Sequence, residues 1–125
     1  MSAALQIELV AADRVVWSGQ ASQVIARTVE GDLGVLPNHA PLLSLLVPGV
    51  VEITPTEGTP FKVAVEEGFL SVADNRVSIL SEDAFLATEI DLDAAKADLA
   101  SAEGAEDVDA ARRAEARVRA VEKTS

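Results

Sequence analysis

GDLGVLPNHAPLLSLLVPGVVEI, residues 31–53, decides the fold class. Three Gly, three Pro and the only His of the chain interrupt short runs of Leu and Val. Asp32 to Leu36 reads as a turn entering a brief buried strand that Pro37 stops, because proline brings no N–H to a hydrogen-bonded ladder. Asn38 to Pro41 makes a second tight connection, and Leu42 to Val47 forms the next strand. Pro48-Gly49 couples a fixed φ to a free one, which marks a turn. Val50 to Ile53 resumes the sheet. Nothing in the block has the make-up of a catalytic centre. It is a rigid corner of an all-β body.

The flanking sequence repeats that pattern. Leu5, Ile7 and Leu9 alternate with Gln6 and Glu8, giving one buried and one wet face. Val15 to Trp17 leads into Ser18-Gly19, and Gln23 to Val29 is a further strand segment. Thr56 to Pro60 turns the chain between Val51–Ile53 and Phe61–Val65, and Ala73 to Arg76 does so between Phe69–Val72 and Val77–Leu80. Turn signals at this spacing predict a β-sandwich or flattened barrel of about ten strands over residues 1–88. Trp17 and Phe69 are expected in its core.

After Thr88 the periodicity becomes helical. Asp91 is an N-cap candidate, with Leu92, Ala95, Leu99 and Ala102 on one stripe. Gly104 breaks the run and Asp107 caps again. Ala111, Ala114, Val118 and Val121 form a second stripe. An antiparallel α-helical hairpin over 89–125 is expected, with helices near 91–102 and 107–122. Its stripes are mostly Ala, which at ~25 cal/mol per Å² bury little. Acids dominate the first helix region, where only Lys96 is basic. The second carries Arg112, Arg113, Arg117, Arg119 and Lys123. Such a hairpin is either docked firmly or held loosely enough to leave at modest cost, since exposed ion pairs contribute only ~0–1 kcal/mol each. On the helix surface itself, Asp109–Arg113 and Glu115–Arg119 are i,i+4 partners.

Composition excludes several functions. Zero Cys rules out a disulfide framework and thiolate metal sites, and one His rules out a His-rich centre. A net charge of -11 argues against nucleic acid and against anionic lipid. No basic region opens the chain, so no cleaved signal peptide is expected. Ala40 to Val51, the longest apolar stretch, is about half a membrane span, so no direct membrane insertion is expected. No Gly-x-Ser-x-Gly elbow accompanies His39, which reads as a corner histidine bonded to nearby backbone. No cofactor is expected.

The 31–53 block closely resembles the Gly-x-x-Gly-x-x-Pro-x-His-x-Pro-Leu-Leu segment of the epsilon subunit of F-type ATP synthases, bacterial and actinobacterial-like. The likeness continues through Glu67 to Val72 and Val77 to Ala84, and into Ile90-Asp91, in order along nearly the whole chain. The resemblance implies a non-catalytic subunit of the central stalk, gripped between the gamma subunit and the c-ring of a proton-translocating enzyme and restraining ATP hydrolysis. It places His39, Pro41, Leu42 and Leu43 at the gamma interface, and Glu30 and Asp32 against the c-ring. It turns Arg112, Arg113, Arg117 and Arg119 toward a beta subunit when the hairpin extends. Some members bind ATP through Ile/Leu-Asp-x-x-Arg-Ala. Here Ala94 replaces that Arg and Asp93 adds negative charge, so ATP binding is expected to be weak or absent. The location implied is peripheral, on the cytoplasmic face of the plasma membrane. Two competitors remain: a small β-sandwich hydrolase or isomerase, and a stand-alone binding module with a helical dimerisation tail. The lone His and lack of clustered catalytic pairs weigh against the first. A pull-down from native membranes would separate the second.

Overall fold

A computed structural model describes residues 4–122; Lys123 therefore lies outside the described residues. Nine strands are present among them, against the ten or so expected: β1 Leu5–Ala11, β2 Arg14–Thr28, β3 Gly31–Val35, β4 Leu42–Leu46, β5 Gly49–Pro55, β6 Phe61–Val65, β7 Gly68–Ala73, β8 Arg76–Ser81 and β9 Ala84–Leu86. A 3-10 turn, Ala87–Glu89, leads to α1 (Leu92–Gly104) and α2 (Val108–Glu122).

The strand order is β1-β8-β7-β4-β2-β5-β6-β9, with β3 on β2 and a further β1–β2 pairing that folds the sheet back on itself. All pairings are antiparallel except β1–β8. β1 puts Leu5, Ile7 and Leu9 inside and Gln6 and Glu8 outside, as its alternation requires. They meet Val24, Val35, Val51, Ile53, Val63, Leu70, Val72 and Ile79, all 0–2% exposed, in one core.

β2 differs from its reading. Ser18-Gly19 does not separate two strands; the chain runs extended for fifteen residues, and a register shift between Ala21 and Gln23 takes up the bend. Gly19 is required because the Trp17 ring lies over it: a Cβ there would be 2.9 Å from the ring. Trp17 in turn packs edge-on to Phe61, centroids 5.2 Å apart, against the core. Asp74 and Asn75, at φ 51° and 62°, form the two-residue left-handed turn between β7 and β8.

The helices begin where expected. Asp91 and Asp107 each accept a bond from the backbone N–H three residues on, Ala94 and Ala110. The reversal between them lies two residues beyond Gly104. Asp107 N–H bonds to Ala102 O and Glu106 N–H to Glu103 O, the paired bonds of a Schellman end, with Glu106 at φ 58° in the position usually given to glycine. α2 lies between the sheet and α1. Ala114 and Val118 are buried as the stripe predicted, but so are Ala116 and Ala120 on a second face. These two meet Ala64 of β6, flanked by Val50, Ala87 and Ile90. Small side chains there let helix and sheet approach closely, at the cost of little buried apolar area per residue.

Candidate partner-binding surfaces

One outer face of the sheet is apolar and uncovered. Cross-strand registers align Leu45 with Phe69, Phe69 with Leu80, Leu80 with Val10, and Val10 with Val15, a single ladder across five strands. Leu45 is 50% exposed, Phe69 49%, Leu80 51% and Val15 59%; Leu43, one rung along β4, reaches 71%. Isolated exposed apolar residues are ordinary, but a contiguous row of this kind marks an interaction face. Phe69 is therefore not a core residue, contrary to its reading: Leu70 and Val72 occupy the inward positions of β7, and period two sends Phe69 out. Gly68 beside it is obligatory, since a Cβ there would collide with the Leu80 carbonyl oxygen.

The corner at residues 36–41 adjoins this face. The His39 ring donates from Nδ1 to the Ala40 carbonyl at 2.7 Å, and its backbone N–H bonds to Leu36 O. Asn38 and Asn75 clasp the corner to the β7–β8 turn through reciprocal bonds to their side-chain oxygens. Pro41 and Leu43 are exposed, whereas Leu42 is half-buried and packs on the core. The structure thus brings Pro41, Leu43 and half-buried His39 to the surface and turns Leu42 away from it.

Glu30 and Asp32 are both exposed at the β2–β3 turn. Thr28 fastens that turn, its Oγ1 donating to Gly31 O at 2.9 Å and accepting from Glu30 N–H. Gly31 stands at φ 113°, a conformation closed to other residues without strain.

The four arginines of α2 divide into two pairs. Arg113 grips Glu67 through two bonds, 2.8 and 3.1 Å, and lies 3.7 Å from Glu66. Arg117 reaches Glu66 at 3.9 Å and Asp98 of α1 at 3.3 Å, with its guanidinium 5.9 Å from the centre of the Phe85 ring. Arg119 keeps its i,i+4 partner Glu115 at 2.8 Å, and Arg112 is exposed. Arg113 makes its hydrogen bonds to Glu67 of the sandwich, with the Asp109 charge still nearby, so it does not belong to the solvated helix face read for it. Lys96–Glu122, 3.6 Å, adds a second contact between the helices. Arg14 straps the β1–β2 tip to the start of the hairpin, bonding both oxygens of Glu89 and the Ala84 carbonyl.

Residues 4–87 match the β-sandwich domain of the ATP synthase delta/epsilon chain family. The chain belongs to that family. It is 51% identical to the ATP synthase epsilon chain of Streptomyces avermitilis over 97% of its own length and 98% of the relative's. It is 50% identical to that of Rhodococcus opacus, with the same 97% and 98% coverage. Its fold is similar to a chain in the mitochondrial ATP synthase structure of Euglena gracilis, with TM-score 0.75, 24% identity, and coverage of 98% of this chain and 79% of that one. A chain of the Tetrahymena thermophila mitochondrial central stalk/c-ring structure gives TM-score 0.61 at 21% identity, covering 95% and 94%.

In this epsilon-family chain, Ala94 is exposed and its backbone N–H bonds to the Asp91 side chain. Among the described residues no group of His, Cys, Asp or Glu is arranged to hold a metal ion. No helix among the described residues is long and apolar enough to cross a membrane. Sequence reasoning missed Leu45, Phe69 and Leu80, although the alternation of β7 and β8 carried the signal. It could not have found Glu66 and Glu67 opposite Arg113, a contact between residues 46 positions apart.

The hairpin latch is acid-sensitive in a particular way. The Arg113 hydrogen bonds hold the Glu67 carboxyl below its ordinary range, whereas burial pushes Glu66 up despite both arginines. Stabilisation from Glu67 is present at neutral pH and lost only as pH falls through its lowered pKa. Glu66 protonates first, and stability gains as pH falls through its raised pKa, because a charge no longer has to stay buried. Hydrogen-exchange protection of α2 is therefore expected to hold through mild acid and to fall below about pH 4. Arg113→Ala should lower it about fivefold at pH 7, equivalent to ~1 kcal/mol. Protection already lost at pH 6, or unaffected by the substitution, would contradict this latch.

Proposed function

We propose that this chain is a rotor part: the epsilon subunit of a proton-translocating ATP synthase, held in the central stalk and carrying no reaction of its own. The observation that carries the reading is the exposed ladder of Leu43, Leu45, Phe69 and Leu80. It stands on the outward positions of a continuously paired sheet and asks for a permanent apolar partner, which in this assembly is the gamma subunit. His39 and Pro41 border the same contact. Full-length correspondence with epsilon chains supports this over a stand-alone dimerising module. The division into a sandwich, 1–88, and a hairpin, 89–125, belongs to the same proposal.

Glu30 and Asp32 point away from the core at a fastened turn and offer negative charge to polar loops of the c-ring. Of Arg112, Arg113, Arg117 and Arg119, the first and last are exposed on the docked hairpin, and all four become available together to an acidic stretch of a beta subunit only when α2 leaves the sheet. In the docked state Glu66 and Glu67 already occupy Arg113 and Arg117. The docked hairpin is thus the non-inhibiting form. The location follows as peripheral, on the cytoplasmic face of the plasma membrane.

Capture from native membranes tests the central contact. Phe69→Ser with Leu45→Ser should reduce co-purification with gamma at least thirtyfold, about 2 kcal/mol of binding, while the isolated chain melts within a few degrees of wild type. Undiminished capture would remove the ladder from the interface. Asp32→Arg should lower proton-driven ATP synthesis in reassembled enzyme severalfold without releasing the subunit; unchanged synthesis would count against the ring contact. Truncation after Glu106 should raise ATP hydrolysis by the assembled enzyme. A rate equal to that of the full chain would leave the hairpin without an inhibitory role.

A further inference from the structure

The turn between β7 and β8 does not need its asparagine. Asp74 and Asn75 fill the two central positions of a two-residue hairpin loop, at φ 51° and 62°. Glycine is most at ease in the second of these positions, and Asp-Gly is among the strongest hairpin pairs. Asn75 instead carries a side chain that reaches back 37 residues, to the corner between β3 and β4. Its Oδ1 accepts from the Asn38 N–H at 2.5 Å, and its Nδ2 donates to Asn38 Oδ1 at 3.3 Å. Asn38 also stands in the left-handed region, at φ 69°. Two asparagines held at positive φ thus meet across the sheet.

The two ends of this clasp are unequal. The β7–β8 turn is anchored: Ala73 pairs with Arg76, and the Asn75 carbonyl accepts from Gln6 N–H of β1 at 2.7 Å. The corner lies between Pro37 and Pro41, neither of which has an N–H to give a ladder. The bonds of His39, from its N–H to Leu36 O and from its ring to Ala40 O, stay inside the corner. Among the described residues, the hydrogen bonds that tie residues 37–40 to another part of the sheet are the two to Asn75. Downstream the chain enters β4 and its outward Leu43 and Leu45. The asparagine pair therefore decides where His39 and Pro41 stand beside the apolar ladder.

We propose that Asn75 is a positioning residue for the partner-binding corner, holding residues 37–41 in their bound arrangement before the partner arrives. The inference rests on the reading of ladder and corner as the gamma contact. Asn75 acts through Asn38, from a hairpin that the corner's own sequence does not contain. A corner set in advance spares the complex the entropy of ordering it. Without the clasp, a smaller fraction of chains is ready to bind, and apparent affinity falls by that fraction. The effect belongs to association. Once bound, the corner makes the same contacts however it was placed, so dissociation is left nearly unchanged.

The test follows the full chain binding to ATP synthase from native membranes stripped of this subunit, with association and dissociation rates read separately. Asn75→Gly removes the clasp and leaves the turn a residue suited to φ 62°, so melting should not fall below wild type. Its association rate should drop about fivefold while its dissociation rate stays within about twofold. Asn75→Asp keeps an acceptor for the Asn38 N–H and should recover most of the association rate. A wild-type association rate for Asn75→Gly would overturn the positioning role. So would a loss seen in dissociation, a loss that Asn75→Asp does not restore, or a slow rate accompanied by lower melting. Phe69→Ser with Leu45→Ser is measured beside it. Weak binding by that ladder variant with normal binding by Asn75→Gly removes the positioning role and leaves the gamma contact standing. Normal binding by both removes the gamma contact itself.

Discussion

β2 is shared by both halves of the sandwich, and its register governs everything packed around it. Residues 14–21 pair with β1; residues 21–28 pair with β5, β3 and the end of β4. A slip of one residue would turn Val24 and Ala26 out of the core and put Gln23 and Ile25 in their place. The same alignment carries through β1 and β8 to β7 and β4. It thereby fixes which residues stand outward in a row. The apolar ladder is a consequence of a correctly registered core, reached from its other side.

The two outer faces of the sheet are treated differently. On β6 all of Val63, Ala64 and Val65 are buried, two toward the core and Ala64 under α2. That face is supplied with small residues and closed by the molecule's own helix. The face of β4, β7 and β8 carries Leu and Phe and receives none of the described elements. Large apolar side chains left uncovered cost solubility unless a partner removes them from water. A cover of Ala on Ala, held by partly exposed ion pairs, is by contrast reversible. The chain thus presents one surface suited to permanent association and one suited to release.

Much of this was legible in the sequence. Alternation gave β1, the Asp-Asn turn gave the β7–β8 hairpin, and Asp91 and Asp107 gave both helix starts. Phe69 was misjudged as core, and Leu42 is half-buried where its exposed neighbours Pro41 and Leu43 are not. Ser44 interrupts the inward set of β4, so Leu42, Leu43 and Leu45 look alike until parity is fixed from Leu46. Phe69 looked like core because the chain has few aromatics, and rarity outweighed its place in the period. Glu106 hid the end of the first helix, since the left-handed position that normally asks for glycine holds an acid, while Gly104 lies inside the last turn. Contacts such as Arg113 with Glu67 depend on how the hairpin lies across the sheet, and local patterns do not encode that.

The ladder is expected to be covered in the assembled enzyme. The chain has no cysteine, so Leu45→Cys provides a single thiol on the ladder. Its maleimide labelling rate can be compared in the isolated chain and in purified intact synthase. Labelling should be fast when free and slowed at least a hundredfold in the assembly, while a cysteine at exposed Glu57 reacts at comparable rates in both. Equal reactivity of the Leu45 position in the two states would contradict the account.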